Sequence, residues 1–278
     1  MALLEDAPWG DLTSEVVLPE DAQIVAELVA REGGVLCGED VFSTAMSLTG
    51  PVAVQFRKKD GESFCAGEVP ARIEGPARAI LHAERVALNL VQRLSGIATL
   101  TAKFVAEAAG TKARIVDTRK TTPGLRLFER YAVRCGGGGN HRFSLSDAVL
   151  VKDNHLAALR TGGDEELAKR LRAALSNLPH TTHVEIEVDR LDQIETALAA
   201  GAHTVMLDNF SLDDLRAGVR QIAGRALVEA SGGVSLDTVR GIAATGVDLI
   251  SVGALTHSVR SLDLGLDIRN SQAGSYPG

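Results

Sequence analysis

The spacing of apolar residues changes near residue 110. Before it, the short runs Gln23–Ala30, Val52–Arg57 and Val69–Ile73 are separated by turn-forming residues, Lys59-Asp60-Gly61 among them, and predict β-strands. Asp40–Leu48 has helical apolar spacing. Arg78–Ala109 is the longest helical stretch, and its Ser95-Gly96 pair predicts an interruption. These elements describe an antiparallel α+β domain over residues 1–110.

From Ala113 the pattern becomes repetitive. The β-rich runs ARIVD (to Asp117), AVLVK (to Lys152), HVEIEVD (around Glu187), TVMLD (to Asp208), ALVEAS (Glu229 to Ser231) and LISVG (to Gly253) each end in polar or turn residues, and most precede a helical segment. Glu187 to Asp208 and Asp208 to Glu229 are each 21 residues apart, the period of a βα unit with short loops. Parallel strands of this kind gather their C-terminal residues on one rim, where barrel enzymes carry their active sites. A full eight-stranded barrel needs about 250 residues, so the 111–256 segment predicts a shortened, six- or seven-stranded α/β barrel. Residues 257–278, with LGLDI at Leu264–Ile268, predict one more strand returning to the first domain.

Charge alters this picture. The chain of 278 residues carries a net charge of −7, yet Lys112–Lys152 holds nine Lys or Arg against the three acids Asp117, Glu129 and Asp147. A local cationic excess in an acidic protein points to a small polyanion held at one place. It argues against nucleic acid as the main partner, which needs a broad basic face. No apolar run approaches a membrane span, and the opening MALLEDAPWGD lacks the pattern of a secretory signal. Cys37, Cys65 and Cys135 form neither a disulfide framework nor a zinc pattern, which predicts reduced thiols and a cytoplasmic protein.

Several groups could carry chemistry. Arg119 and Lys120 would decorate a solvated loop in isolation, but their place just beyond a strand end favours a site. Gly136–Gly139 is a linker on the bland reading; followed by His141-Arg142, it can instead bring backbone N–H groups close to an anion. Lys152 ends a strand and is directed to the rim rather than snorkelling from it. Glu187 and Asp208, at successive strand ends, suit magnesium bound through water and substrate phosphates, or could orient the basic residues, with Glu185, Asp189 and Glu229 as competitors. Alternation sends Glu185 and Glu187 to one face and leaves open which meets a ligand. Ser231-Gly232-Gly233 and Gly253-Ala254 lie where barrels seat phosphate, although turn glycines are common. Arg85 reads locally as part of a polar helix face, and His82, His180, His183, His203 and His257 as structural.

Taken together, DTRKTTPGLR, YAVRCGGGGNHR, LVKDNH, VEIEVD, VMLDNF, EASGGV and SVGALTHS, with ERVALN and LSGIAT upstream, resemble the quinolinate phosphoribosyltransferase family. The resemblance spans GDLTS (Gly10–Ser14) to LGLDI. It implies an α+β sandwich domain followed by a shortened α/β barrel. It also implies conversion of quinolinate and phosphoribosyl pyrophosphate to nicotinate mononucleotide, pyrophosphate and CO2 by a magnesium-dependent pentosyltransferase of NAD biosynthesis. By the same resemblance, Arg119, His141, Arg142 and Lys152 hold the quinolinate carboxylates, and Arg85 reaches in from the other subunit of a homodimer. Lys120, Glu187 and Asp208 surround phosphoribosyl pyrophosphate and Mg2+, while Ser231, Gly232, Gly233 and Gly253 seat the 5-phosphate. Ser144, Arg130 and Gly139 depart from the family's usual residues without removing a charged ligand. A phosphoribosyltransferase for another aromatic acid, such as nicotinate, and a non-catalytic phosphometabolite binder are the competing readings.

Overall fold

The computed structural model describes residues 1–159 and 162–269 and contains two compact units: residues 1–102, 127–137 and 259 onward, and residues 103–126 with 138–258. The first unit begins with two short helices, α1 (Ala2–Asp6) and α2 (Leu12–Val17). Then come β1 (Gln23–Ala30), β2 (Gly34–Val35), α3 (Glu39–Ser47), β3 (Ala53–Phe56), β4 (Ser63–Phe64), β5 (Ala71–Pro76) and the long helix α4 (Ala77–Glu107). In β5 every second residue (Ala71, Ile73, Gly75) is buried, as expected of a sheet with one covered face. Phe42, Leu28, Leu36, Met46, Ile73 and Ile80 fill the core beneath that sheet.

Helix α4 is continuous, so the expected interruption at Ser95-Gly96 does not occur. Both residues serve packing instead. The buried Ser95 hydroxyl accepts the Cys37 N–H (3.0 Å) and donates to the Cys37 carbonyl (3.2 Å). A side chain at position 96 would collide with the Arg260 carbonyl, so glycine there permits close backbone approach rather than breaking the helix.

The second unit is a parallel sheet of six strands among the described residues. Its strands are β6 (Arg114–Val116), β7 (Val149–Val151), β8 (Val184–Val188), β9 (Thr204–Asp208), β10 (Leu227–Ser231) and β11 (Leu249–Ser251), in the order β6-β11-β10-β9-β8-β7. This is the shortened α/β barrel. Ile186, Leu207, Val228 and Ile250 point to the outer face. Around them run α6 (Asp153–Leu159), α7 (Asp164–Leu175), α8 (Ile194–Ala200), α9 (Leu212–Ile222) and α10 (Leu236–Ala243), whose Leu167, Leu171, Leu215, Ile222, Val239 and Ile242 are buried. Cross-strand partners Glu187–Met206–Glu229 and Asp208–Ser231 share the opposite, inner face, which is strongly polar. At the free edge of β6, Gly139 forms an isolated parallel bridge to Val116, so the glycine run continues the sheet for one residue.

Helix α5 (Arg126–Cys135), a segment to which the hydrophobic pattern assigns no element, belongs largely to the first unit although it lies within the 111–256 span. Arg93 Nη2 meets the fully buried Glu129 carboxylate at 2.8 Å, and Gly136 abuts the Ala98 carbonyl. A short helix α11 (Ala254–His257) precedes β12 (Leu264–Arg269), which pairs antiparallel with β1 from Leu264↔Ala30 to Arg269↔Val25. The remainder of the expected returning tail, residues 270–278, lies outside the described residues.

Candidate active site

Strand alternation and strand ends together build the site. Thr118, Arg119, Lys120, His141, Arg142, Lys152, Glu187, Asp208, Glu229, Ser231 and Ser251 line one cavity of about 410 Å3, floored by Leu150 and Met206. That volume lies in the range of small-molecule sites. Nine residues singled out in the sequence therefore converge: Arg119, Lys120, His141, Arg142, Lys152, Glu187, Asp208, Glu229 and Ser231. Gly232 and Gly233 continue from Ser231 with φ of +88° and +60°, a backbone path that disfavours other residues. Gly253 lies against Lys120, since a Cβ there would sit 3.1 Å from Lys120 Cδ and from the His257 ring. Arg85 stands exposed on α4 in the first unit.

The basic groups are held in place by buried acids. Asp117, fully buried just beyond β6, accepts Asn140 Nδ2 (2.6 Å) and the His141 N–H (2.8 Å), fixing the loop that follows the glycines. His141 Nδ1 accepts the Arg142 N–H at 2.8 Å, which places the ring hydrogen on Nε2, 2.9 Å from Glu185. Burial opposes charge on this imidazole, but the hydrogen bond to Glu185 and the nearby Glu229 outweigh it and raise the pKa above the ordinary value.

Arg142 donates to the Ala148 carbonyl (3.0 Å), and its pKa is lowered by burial and then by the positive charge of Arg119. Arg119 Nε is buried with no hydrogen-bond partner. Two guanidinium groups brought together, one with an idle buried donor, form a cradle for a dianion. Lys152 Nζ contacts Glu187 at 2.6 Å. The structure thus separates the two glutamates that alternation left together: Glu185 is sealed against His141, and Glu187 faces the cavity beside Lys152.

Three contributors carry no clear signal in the sequence. Besides Asp117, these are Asn209 and His257. Asn209 has a left-handed backbone (φ +59°), donates from Nδ2 to Asp208 (2.6 Å) and packs onto Gly232, locking the acid to the turn. A non-glycine residue at positive φ was not visible in the sequence. His257, read as structural, flanks Gly253 and Lys120.

Glu229 is nearly fully buried, and burial, then the charge of Glu185, pushes its carboxyl up to about 8 from the ordinary 4.5. An acid with a raised pKa in the fold favours folding fully below its unfolded value and loses that contribution as pH rises through the folded value. Glu229→Gln is therefore expected to gain stability over the wild type across pH 4.5 to about 8, reaching on the order of a few kcal/mol above it. Denaturant unfolding at a series of pH values measures this. Parallel profiles for the two proteins would show that the carboxyl is not held protonated.

Two family models match: quinolinate phosphoribosyl transferase, N-terminal domain, over residues 11–95, and the C-terminal domain over residues 97–267. The chain belongs to this family. It is 44% identical over 266 residues to a probable nicotinate-nucleotide pyrophosphorylase [carboxylating] of Bacillus subtilis, covering 95% of this chain and 90% of the relative. Identity to the Mycobacterium leprae nicotinate-nucleotide pyrophosphorylase [carboxylating] is 43% over 274 residues, with 96% and 94% covered. Among solved structures, NadC from Streptococcus pyogenes superposes with a TM-score of 0.90 at 41% identity, covering 97% of this chain and 95% of that one. The Francisella tularensis nicotinate-nucleotide pyrophosphorylase gives 0.88 at 39% identity, with 96% and 93% covered.

Proposed function

We propose that this chain transfers the phosphoribosyl group of phosphoribosyl pyrophosphate to quinolinate with loss of CO2, giving nicotinate mononucleotide and pyrophosphate for NAD synthesis. The observation that carries the reading is the pairing of Arg119 and Arg142 in one cavity, with a buried Arg119 donor awaiting an acceptor. Two adjacent carboxylates on a pyridine ring supply the charge and the paired oxygens that this cradle lacks.

In this reading Arg119, Arg142 and Lys152 hold the two carboxylates, and His141 supports the Arg142 backbone from below. The pyridine nitrogen attacks ribose C1 as pyrophosphate departs, and Lys120 screens the leaving charge. With the nitrogen alkylated, loss of the 2-carboxylate leaves an electron pair beside a positive ring, and protonation of that carbon completes the product. The residues stabilise this path by orientation, and no covalent nucleophile takes part. Ser231, Gly232, Gly233 and Gly253 offer hydroxyl and open backbone to the 5-phosphate.

Glu187 and Asp208 line the same cavity, an all-oxygen pair suited to magnesium shared with substrate phosphates. When bound, the ion would supply charge neutralisation for the departing pyrophosphate.

We further place the reaction in the cytoplasm and in a homodimer, with the exposed Arg85 completing its partner's site. No helix among the described residues is long and apolar enough to cross a membrane.

Incubation with quinolinate, phosphoribosyl pyrophosphate and Mg2+ should release CO2 and form nicotinate mononucleotide. Nicotinate in place of quinolinate should react poorly. Equal turnover of both acids would favour a different aromatic substrate, and no product would leave only a binding protein. Mixing inactive Arg85→Ala and Arg119→Ala chains should restore about one quarter of wild-type activity, since half the dimers would be hybrids with one intact site. No recovery under demonstrated subunit exchange would refute the shared site.

A further inference from the structure

The first unit holds a cluster of titratable side chains of its own. Cys37 follows β2 and is fully buried, Asp60 sits in the turn before β4, and Tyr131 and Cys135 lie one helical turn apart on α5. The two sulfur atoms and an Asp60 oxygen lie within 4.8 Å of one another. Each is firmly positioned. Asp60 Oδ1 accepts the N–H groups of Gly38 (2.9 Å) and Glu39 (3.2 Å) at the start of α3, and Oδ2 accepts the Tyr131 hydroxyl (2.9 Å). The Cys37 backbone is clamped on both sides by Ser95 of α4.

The two thiols are not equivalent. Cys135 is half-buried, and a hydrogen bond from the Cys37 thiol holds its pKa below the ordinary thiol value, with help from the Arg134 charge. Cys37 is pushed the opposite way, first by that bond and then by burial. The half-buried sulfur is thus the more acidic of the two, and the inaccessible one keeps its proton, within 4.8 Å of it. This arrangement marks thiols that react with oxidants and then form a disulfide. Cys65 is exposed, and the pairing described for Cys37 and Cys135 does not include it.

We propose that Cys135 is a hydroperoxide-reactive thiol and that Cys37 resolves it into an intrachain Cys37–Cys135 disulfide. The Cys135 thiolate attacks one peroxide oxygen, the O–O bond breaks, and the departing oxygen takes a proton to leave as water, so Cys135 becomes a sulfenic acid. The Cys37 sulfur then attacks the Cys135 sulfur. The S–S bond forms as the S–O bond breaks, and the Cys37 proton passes, with the Asp60 carboxylate at hand, to the leaving hydroxide. In sum, two thiols are oxidised and one peroxide is reduced to two waters. A soft cation could use the same donors, but it would require Cys37 to give up its proton inside the core first.

The test is oxidation of the reduced full-length protein with a few equivalents of hydrogen peroxide at neutral pH, followed by alkylation and peptide mass mapping. The expected product is a Cys37–Cys135 linked peptide pair lighter by two hydrogens, forming at least about ten times faster than Cys65 is modified. In Cys37→Ser, Cys135 should be trapped as sulfenic acid by dimedone. In Cys135→Ser, Cys37 should stay reduced. Preferential oxidation of Cys65, or over-oxidation of wild-type Cys135 without the cross-link, would overturn the proposal. Tight one-to-one uptake of Zn2+ that is lost in both variants, with no cross-link in metal-free protein, would also overturn it and mark a metal site.

Discussion

Arg119→Ala is expected to lower kcat/KM for quinolinate by at least about a hundredfold while leaving the fold intact. Truncating one partner of a desolvated charge pair typically removes about 2–5 kcal/mol, about thirtyfold to several thousandfold, and the middle of that range exceeds a hundredfold. Stability should move the other way. In the ligand-free protein Arg119 repels Arg142 and buries an unpaired Nε, so alanine relieves both penalties. An unchanged or raised melting temperature beside a collapsed turnover would show that the arginine is kept for the ligand and not for the fold. Near-normal turnover would remove Arg119 from the site, and a lowered melting temperature would make it structural. A dicarboxylate also predicts asymmetry among competitors: pyridine diacids should protect wild-type protein far better than pyridine monoacids and should lose that advantage in the variant.

The sequence disclosed the chemistry of the rim better than its mechanics. Lys152, Glu187, Asp208 and Ser231 were legible because strand alternation and the βα period fix both where a strand ends and which face its last residue takes. Depth was not legible. Glu185 and Glu187 share a face, and only the placement of His141, brought in by the Asp117-anchored loop, seals one and leaves the other open. Nothing local gave Arg85 a role; that assignment rests on the family resemblance. Ser95-Gly96 misled because local propensity treats glycine as a breaker, whereas here the passing chain at Arg260 requires its bareness. Helix α5 escaped notice because it buries Glu129 and Arg130, residues that ordinarily mark solvent. Its ion pair with Arg93 on a helix more than thirty positions away carries no sequence signature.

Lys152→Ala should be as damaging as loss of Arg119, but through a different route. In the ligand-free protein the ammonium neutralises Glu187 at 2.6 Å inside the cavity. Without it, a largely buried carboxylate faces the site where a dianion must dock, so one substitution both removes an attraction and exposes a repulsion. Equilibrium binding of quinolinate should weaken by about two orders of magnitude or more on this account. Adding Glu187→Gln in the Lys152→Ala background should recover part of the binding by removing the repulsion. Turnover should stay low, because the amide offers no anionic ligand where Glu187 is proposed to help hold magnesium. The cycle thereby separates the two roles of the pair. If the second substitution leaves quinolinate binding where the first put it, Glu187 does not oppose the substrate, and Lys152 acts by direct contact alone.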